Sequence, residues 1–196
     1  MIIPPHFLFD EEVFDRLHAY LDSIICTNVR LPKVPFKAPL KANGFEEFDW
    51  ILSGEFWSTL QDFATHSGDH ELIFSVLEPD PVNYFKETFG YYNWAILPSS
   101  LSIDDYWDFL NNAPNNSPAD SILANAQVVV ITAPSKRWAV WGERASGLCV
   151  LATVNNDKMP DWNNIRWLSA LYKNKEWMDF SIEVAQQFEL LDSDLR

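Results

Sequence analysis

Basic residues are scarce: fourteen Lys and Arg stand against twenty-eight Asp and Glu in 196 residues, a formal net charge of −14. A nucleic-acid-binding domain needs a cationic footprint for phosphates, so direct nucleic-acid binding is the least expected function. Glycine is also rare, with six in the chain, which argues against a Gly-rich phosphate cradle. Gly142 and Gly147 have P-loop separation, but Leu148 stands where the lysine belongs, and no cofactor is expected. No G-x-S-x-G elbow occurs. Of the two cysteines, Cys26 and Cys149, the second lies in an apolar run with nothing beside it to lower its pKa. It reads as a small buried hydrophobe, and no disulfide is expected. No apolar run approaches membrane-spanning length. MIIPPHFLFDEE has no basic n-region, so it does not read as a signal peptide. The expectation is a cytoplasmic, reduced protein that does not enter a membrane.

What the chain has is apolar and aromatic mass: 47% hydrophobic residues, including nine Trp, fourteen Phe and six Tyr. That is ample for one α+β domain over 1–196. Its organising stretch is 128–154, VVVITAPSKRWAVWGERASGLCVLATV. Three β-branched, apolar runs are separated by Pro134-Ser135-Lys136 and by a second loop, where Gly147 can take a positive φ. Short connections make antiparallel neighbours, so the stretch predicts a β-meander. Alternation puts Trp138 and Val140 on one face and Ala139 and Trp141 on the other. The outer two runs are apolar on both faces, which places the meander centrally in a sheet covered by helices.

Around it, capping chemistry marks helices. Asp10 opens one carrying Val13, Phe14, Leu17, Tyr20, Leu21, Ile24 and Ile25; His18 falls off that stripe and is expected in solvent. Residues 27–42, with Pro32, Pro35 and Pro39 and with Arg30, Lys33, Lys37 and Lys41 as the only charges, read as an extended basic connector. Helices are expected over 53–65 ending near Gly68, from Asp80-Pro81 to Gly90, from Ser102 to Leu110, over 120–126, from Pro160, and over 178–191 with Ile182, Val184, Ala185, Phe188 and Leu191 buried. Strands are expected over 71–77 and 91–97.

The charge is unevenly spread. Residues 43–122 hold fourteen acids against one base, Lys86, a net of −13 of the chain's −14. They also hold sixteen aromatic residues. An acidic, aromatic-rich surface suits a basic protein partner. The densest patch is the helix after Ser102, where Asp104 and Asp108 share a face, Asp105 adjoins, and Trp107 is near enough to act as an anchor. Trp141 and Arg144, in the string WAVWGER, are further contact candidates because Trp and Arg lead interface hot spots; core packing is the competing reading of both tryptophans in that string.

Catalytic and metal constellations are weak. His66-Ser67-Gly68-Asp69-His70 has two His at metal-ligand spacing, but Gly68 sits where the preceding helix should end, so a polar loop without metal is the reading. The acid pairs Glu46-Glu47 and Asp104-Asp105 read as solvated turns, and no catalytic residue is assigned.

The run ITAPSKRWAVWGER, followed by an apolar strand, resembles a hairpin with a W-x-x-W-G-E-R motif in uncharacterised bacterial proteins, some of them regarded as immunity proteins of toxin systems. The resemblance covers only the meander and implies no catalytic residue. It implies a protein that neutralises a toxin, and a toxin directed at nucleic acid is itself basic. The leading expectation is therefore an acidic binding module for a basic protein. A structural or assembly subunit is the first alternative. A hydrolase-like enzyme with a site built from dispersed acids is the second.

Overall fold

The computed structural model describes residues 3–154, 162–163, 167 and 175–188. The meander is present as β4 (Val128–Thr132), β5 (Trp138–Glu143) and β6 (Leu148–Thr153), and every residue of the three strands is buried. Gly147 takes the positive φ its loop requires, +65°. Three more strands complete the sheet: β1 (Lys41–Glu47), β2 (Glu71–Glu78) and β3 (Trp94–Pro98). The order is β1-β6-β5-β4-β2-β3, and all neighbours are antiparallel.

The period-2 alternation assigns each sheet face to its own core. On one face Leu72, Phe74, Val129, Ile131, Trp138, Val140 and Leu151 meet a layer of helices. That layer contains a 3-10 turn (Phe48–Leu52), α2 (Gly54–Ser67), α3 (Glu87–Phe89), α4 (Ile103–Asn111) and α5 (Ile122–Asn125). On the other face Ile73, Trp94, Val128, Val130, Ala139, Trp141 and Val150 meet α1 (Glu11–Asp22), the segment 24–40 and Val184 of α6 (Lys175–Gln187). The fold is a six-stranded antiparallel sheet between two helical layers in one α+β domain.

Local chemistry explains the helix boundaries. Asp10 accepts from Val13 N at 3.0 Å, Ser53 from Phe56 N at 3.2 Å and Ser102 from Asp105 N at 3.1 Å, each satisfying an orphan first-turn N–H. Gly68, at φ +76°, ends α2 in the left-handed conformation. Asp80 caps a π-helix (Pro81–Lys86) that runs into α3 and stops at Gly90, where a plain α-helix was expected.

Each sheet edge makes further backbone hydrogen bonds. Beside β3, Leu8 N donates to Trp94 O at 2.9 Å and Ile96 N to His6 O at 3.2 Å; beside β1, Phe45 N donates to Asn163 O at 2.9 Å. The tip of the β4–β5 hairpin is held from both layers. The Tyr20 hydroxyl of α1 donates to Ala133 O. Asp69, just past α2, accepts from Ser135 N at 2.9 Å.

Three expectations need correction. The 27–42 segment is more than an extended connector: Leu31, Phe36 and Leu40 are buried on the sheet, and β1 starts at Lys41. Its prolines do forbid a helix, but apolar residues interleaved with them give the chain something to bury. His18 is half-exposed and stacked on Trp94, with ring centroids 5.9 Å apart and planes 15° apart, because Trp94 projects from β3 beneath that flank of α1. Ile182 is 47% exposed, while its neighbours Val184 and Ala185 turn inward. The helix expected from Pro160 falls almost wholly outside the described residues, as does Leu191.

Candidate functional site

α4 turns one face to the core. Tyr106, Phe109 and Leu110 are buried. The Tyr106 ring stacks on Trp57 with centroids 4.6 Å apart, and its hydroxyl donates to Ile51 O at 3.1 Å. Burial pushes that phenol far above its ordinary pKa, so it stays a neutral donor. Trp57 Nε1 donates to Leu101 O at 2.7 Å, and Gln61 Nε2 donates to Ser99 O at 2.8 Å. The loop entering α4 is therefore fastened to α2. Ser102 closes the first turn and also donates to Asp105 Oδ2 at 2.6 Å.

The opposite face of α4 is open. Ile103 is 48% and Trp107 45% exposed, one helical turn apart and therefore side by side. Asp104 and Asp108, both exposed, follow them in sequence and make a parallel carboxylate row. The structure thus gathers Asp104, Trp107 and Asp108 on one outward strip and adds Ile103. Asp105 is exposed too, but its carboxylate is engaged by the cap. Ile103 was missed in the sequence reading; its signal was the four-residue spacing to Trp107.

The other two expected contacts do not join the strip. Trp141 is wholly buried on the opposite sheet face. Its indole N–H meets Glu143 Oε2 at 3.3 Å, and Arg30 lies 5.9 Å from its ring. It is a core residue and not a surface contact, because its strand is covered on both sides. Arg144 is committed internally. It donates to Ala126 O and Leu123 O, each at 2.8 Å, lies 4.8 Å over the Phe48 ring, and meets Asp49 at 3.6 Å. It fastens α5 and the 3-10 turn to the end of β5.

Most aromatic residues of 43–122 are core as well: all but Trp50, Tyr84 and Trp107 are buried. Tyr84 spends its hydroxyl on Asp120 Oδ1 at 2.6 Å. The aromatic richness of the acidic segment is therefore packing mass, and Trp107 is its prominent outward ring.

Asp69, Glu46 and Cys149 are engaged within the fold. Asp69 of the HSGDH run accepts from Ser135 N and from Ser67 Oγ. Among the described residues no group of three or more His, Cys, Asp and Glu is placed to hold a metal. Glu46 has a raised pKa, chiefly from burial, with the like charge of Glu47 adding to it. It pairs in register with Cys149, whose thiol is pushed up by burial and by that carboxylate. A thiol so placed is the reverse of an activated nucleophile. Both cysteines are free thiols. Among the described residues no helix is long and apolar enough to cross a membrane.

No protein-family model matches this chain, and neither a curated protein nor a solved structure matches it.

Proposed function

We propose that this protein is a binding module that takes a basic protein partner on the outer face of α4. The observation that carries the reading is the exposed Ile103–Trp107 pair set beside Asp104 and Asp108. Half-exposed Trp on a well-anchored helix gives a partner a rigid anchor that costs little conformational entropy. The carboxylate row, within a segment of fourteen acids and one base, steers a positively charged partner toward that anchor. A toxin that binds nucleic acid fits this chemistry, and the W-x-x-W-G-E-R hairpin supports an immunity protein as the biological form of the module.

Binding kinetics against a basic toxin domain encoded beside this chain's gene test the reading. Replacing Asp104, Asp105 and Asp108 with Asn should slow association more than it speeds dissociation. The association rate should also fall as salt shortens the screening length from ~8 Å near physiological ionic strength to ~3 Å at 1 M. Trp107→Ala should act instead on the dissociation rate. An association rate indifferent to salt and to the triple substitution would sink the proposal and leave the acids a solubility role.

A further inference from the structure

Four cations of this molecule show how it holds a positive charge against a ring. Arg144 lies 4.8 Å over the Phe48 ring and meets the carboxylate of the next residue, Asp49, at 3.6 Å. Arg30 lies 5.9 Å over Trp141, and its Nη2 meets Glu78 Oε2 at 3.3 Å. The two lysines are placed differently. Lys86 sits 4.7 Å over Tyr92 and donates to Phe9 O at 2.6 Å. Lys136 sits 4.8 Å over Tyr20 and donates to Ser23 Oγ at 2.7 Å. These arginines take a ring together with a carboxylate, and these lysines a ring together with a neutral oxygen. The cause is chemical. A guanidinium is planar and weakly hydrated, so it stacks on a ring face and keeps its edge for a carboxylate; an ammonium is a compact, strongly hydrated point charge.

The outer strip of α4 offers a ring and carboxylates without a cation. Trp107 is half-exposed, and Asp108 follows it in sequence as Asp49 follows Phe48. Asp104 stands three residues back on the same face. Helical side chains lean toward the N-terminus, which carries the indole over the turn that holds Ile103 and Asp104. Asp105 is spent on the Ser102 cap, but among the described residues neither Asp104 nor Asp108 makes an ion pair. No lysine or arginine occurs between Lys86 and Lys136, and those two are engaged on other rings. We propose that the strip takes an arginine of the partner, its guanidinium over the Trp107 ring and its edge on the Asp104 and Asp108 carboxylates, with Ile103 against the aliphatic stem. This rests on the α4 reading and sharpens it: the partner's central contact is an arginine, neither a lysine nor an apolar plug.

The test uses two charge-matched peptides, acetylated and amidated, one of four Gly-Arg repeats and one of four Gly-Lys repeats. Each is titrated into the ¹⁵N-labelled protein and followed at the Trp107 indole N–H, identified as the signal lost in Trp107→Ala. The arginine peptide should shift that signal saturably and bind about fivefold more tightly than the lysine peptide. Asp104→Asn with Asp108→Asn should abolish most of the preference. Glu12→Gln with Asp15→Asn, which removes the same charge from exposed positions of α1 in the opposite layer, should leave it. Trp107→Leu keeps an apolar contact and removes the π face, so the two peptides should then bind equally while the fold is retained. Equal affinity of the two peptides for the wild type, still dependent on Trp107 and on salt, overturns the arginine assignment and leaves the acidic docking face standing. A preference that survives Trp107→Leu or the double Asn variant overturns it too, since the guanidinium is then held elsewhere. No saturable shift at Trp107 also overturns it, and the kinetics with the toxin domain then decide the α4 reading separately.

Discussion

Glu143 accepts a hydrogen bond from the backbone N–H of Leu31 at 3.0 Å, across 112 residues of chain. The carboxylate is buried at the end of β5, and the same Oε2 meets Trp141 Nε1 at 3.3 Å. One acid in the sheet thus fastens the Pro-rich segment through the Leu31 N–H, which lies outside any helix or strand. Glu143→Ala leaves two buried donors without their acceptor and should cost about 1–3 kcal/mol. Urea denaturation measures the loss. Amide exchange at Leu31 should quicken; an unchanged exchange rate there would show that the bond does not hold the segment.

Gly142 lies where a side chain would collide: a Cβ built on it stands 2.3 Å from Ile51 Cδ1. This close approach lets the 3-10 turn Phe48–Leu52 pack directly on β5. Gly142→Ala should destabilise by about 1–3 kcal/mol through overpacking. Ile51→Val removes the clashing atom, so the double variant should recover part of that loss, a coupling readable in a double-mutant cycle. Strict additivity of the two would place the strain elsewhere.

Trp138 is buried against Phe63, ring centroids 5.1 Å apart and edge to face, and its Nε1 donates to Ser67 Oγ at 3.2 Å. Trp138→Ala should cost roughly 3–5 kcal/mol, as large aromatic truncations in cores do. A thermal or chemical melt unchanged by the substitution would contradict the packing described.

Tyr20 has its pKa pushed up to about 12, first by burial, with Asp69 adding to it and hydrogen bonding at Thr132 and Lys136 opposing it. A pKa raised above the unfolded value of about 10 stabilises the folded state fully below pH ~10, and that contribution is lost as pH rises toward ~12. Tyr20→Phe removes the group, so stability of the variant should fall less steeply than wild type across that window. Denaturation midpoints at stepped alkaline pH check this; parallel curves for the two proteins would refute it. Tyr106 is pushed higher still and should titrate only on unfolding.

The local parts of this molecule are legible in its sequence because their causes are local. Alternation along WAVW placed Trp138 and Val140 in one core and Ala139 and Trp141 in the other, since successive strand side chains must point oppositely. Ser53, Ser102 and Asp10 marked helix starts, and Gly68 a helix end, because a cap acts within one turn. Charge counting found the acidic segment but not its use. A carboxylate count is silent on position, and an aromatic residue is equally suited to core and interface until its neighbours are known.

Only the tertiary structure decided that Trp107 faces outward while Trp57, Trp94, Tyr106 and Trp141 are covered. It alone brought Glu143 to Leu31 and added β1 beside β6 and β2 beside β4. These pairings join residues far apart in the chain. Their selection depends on how two complete faces fit together after loop closure, and no local pattern encodes that fit.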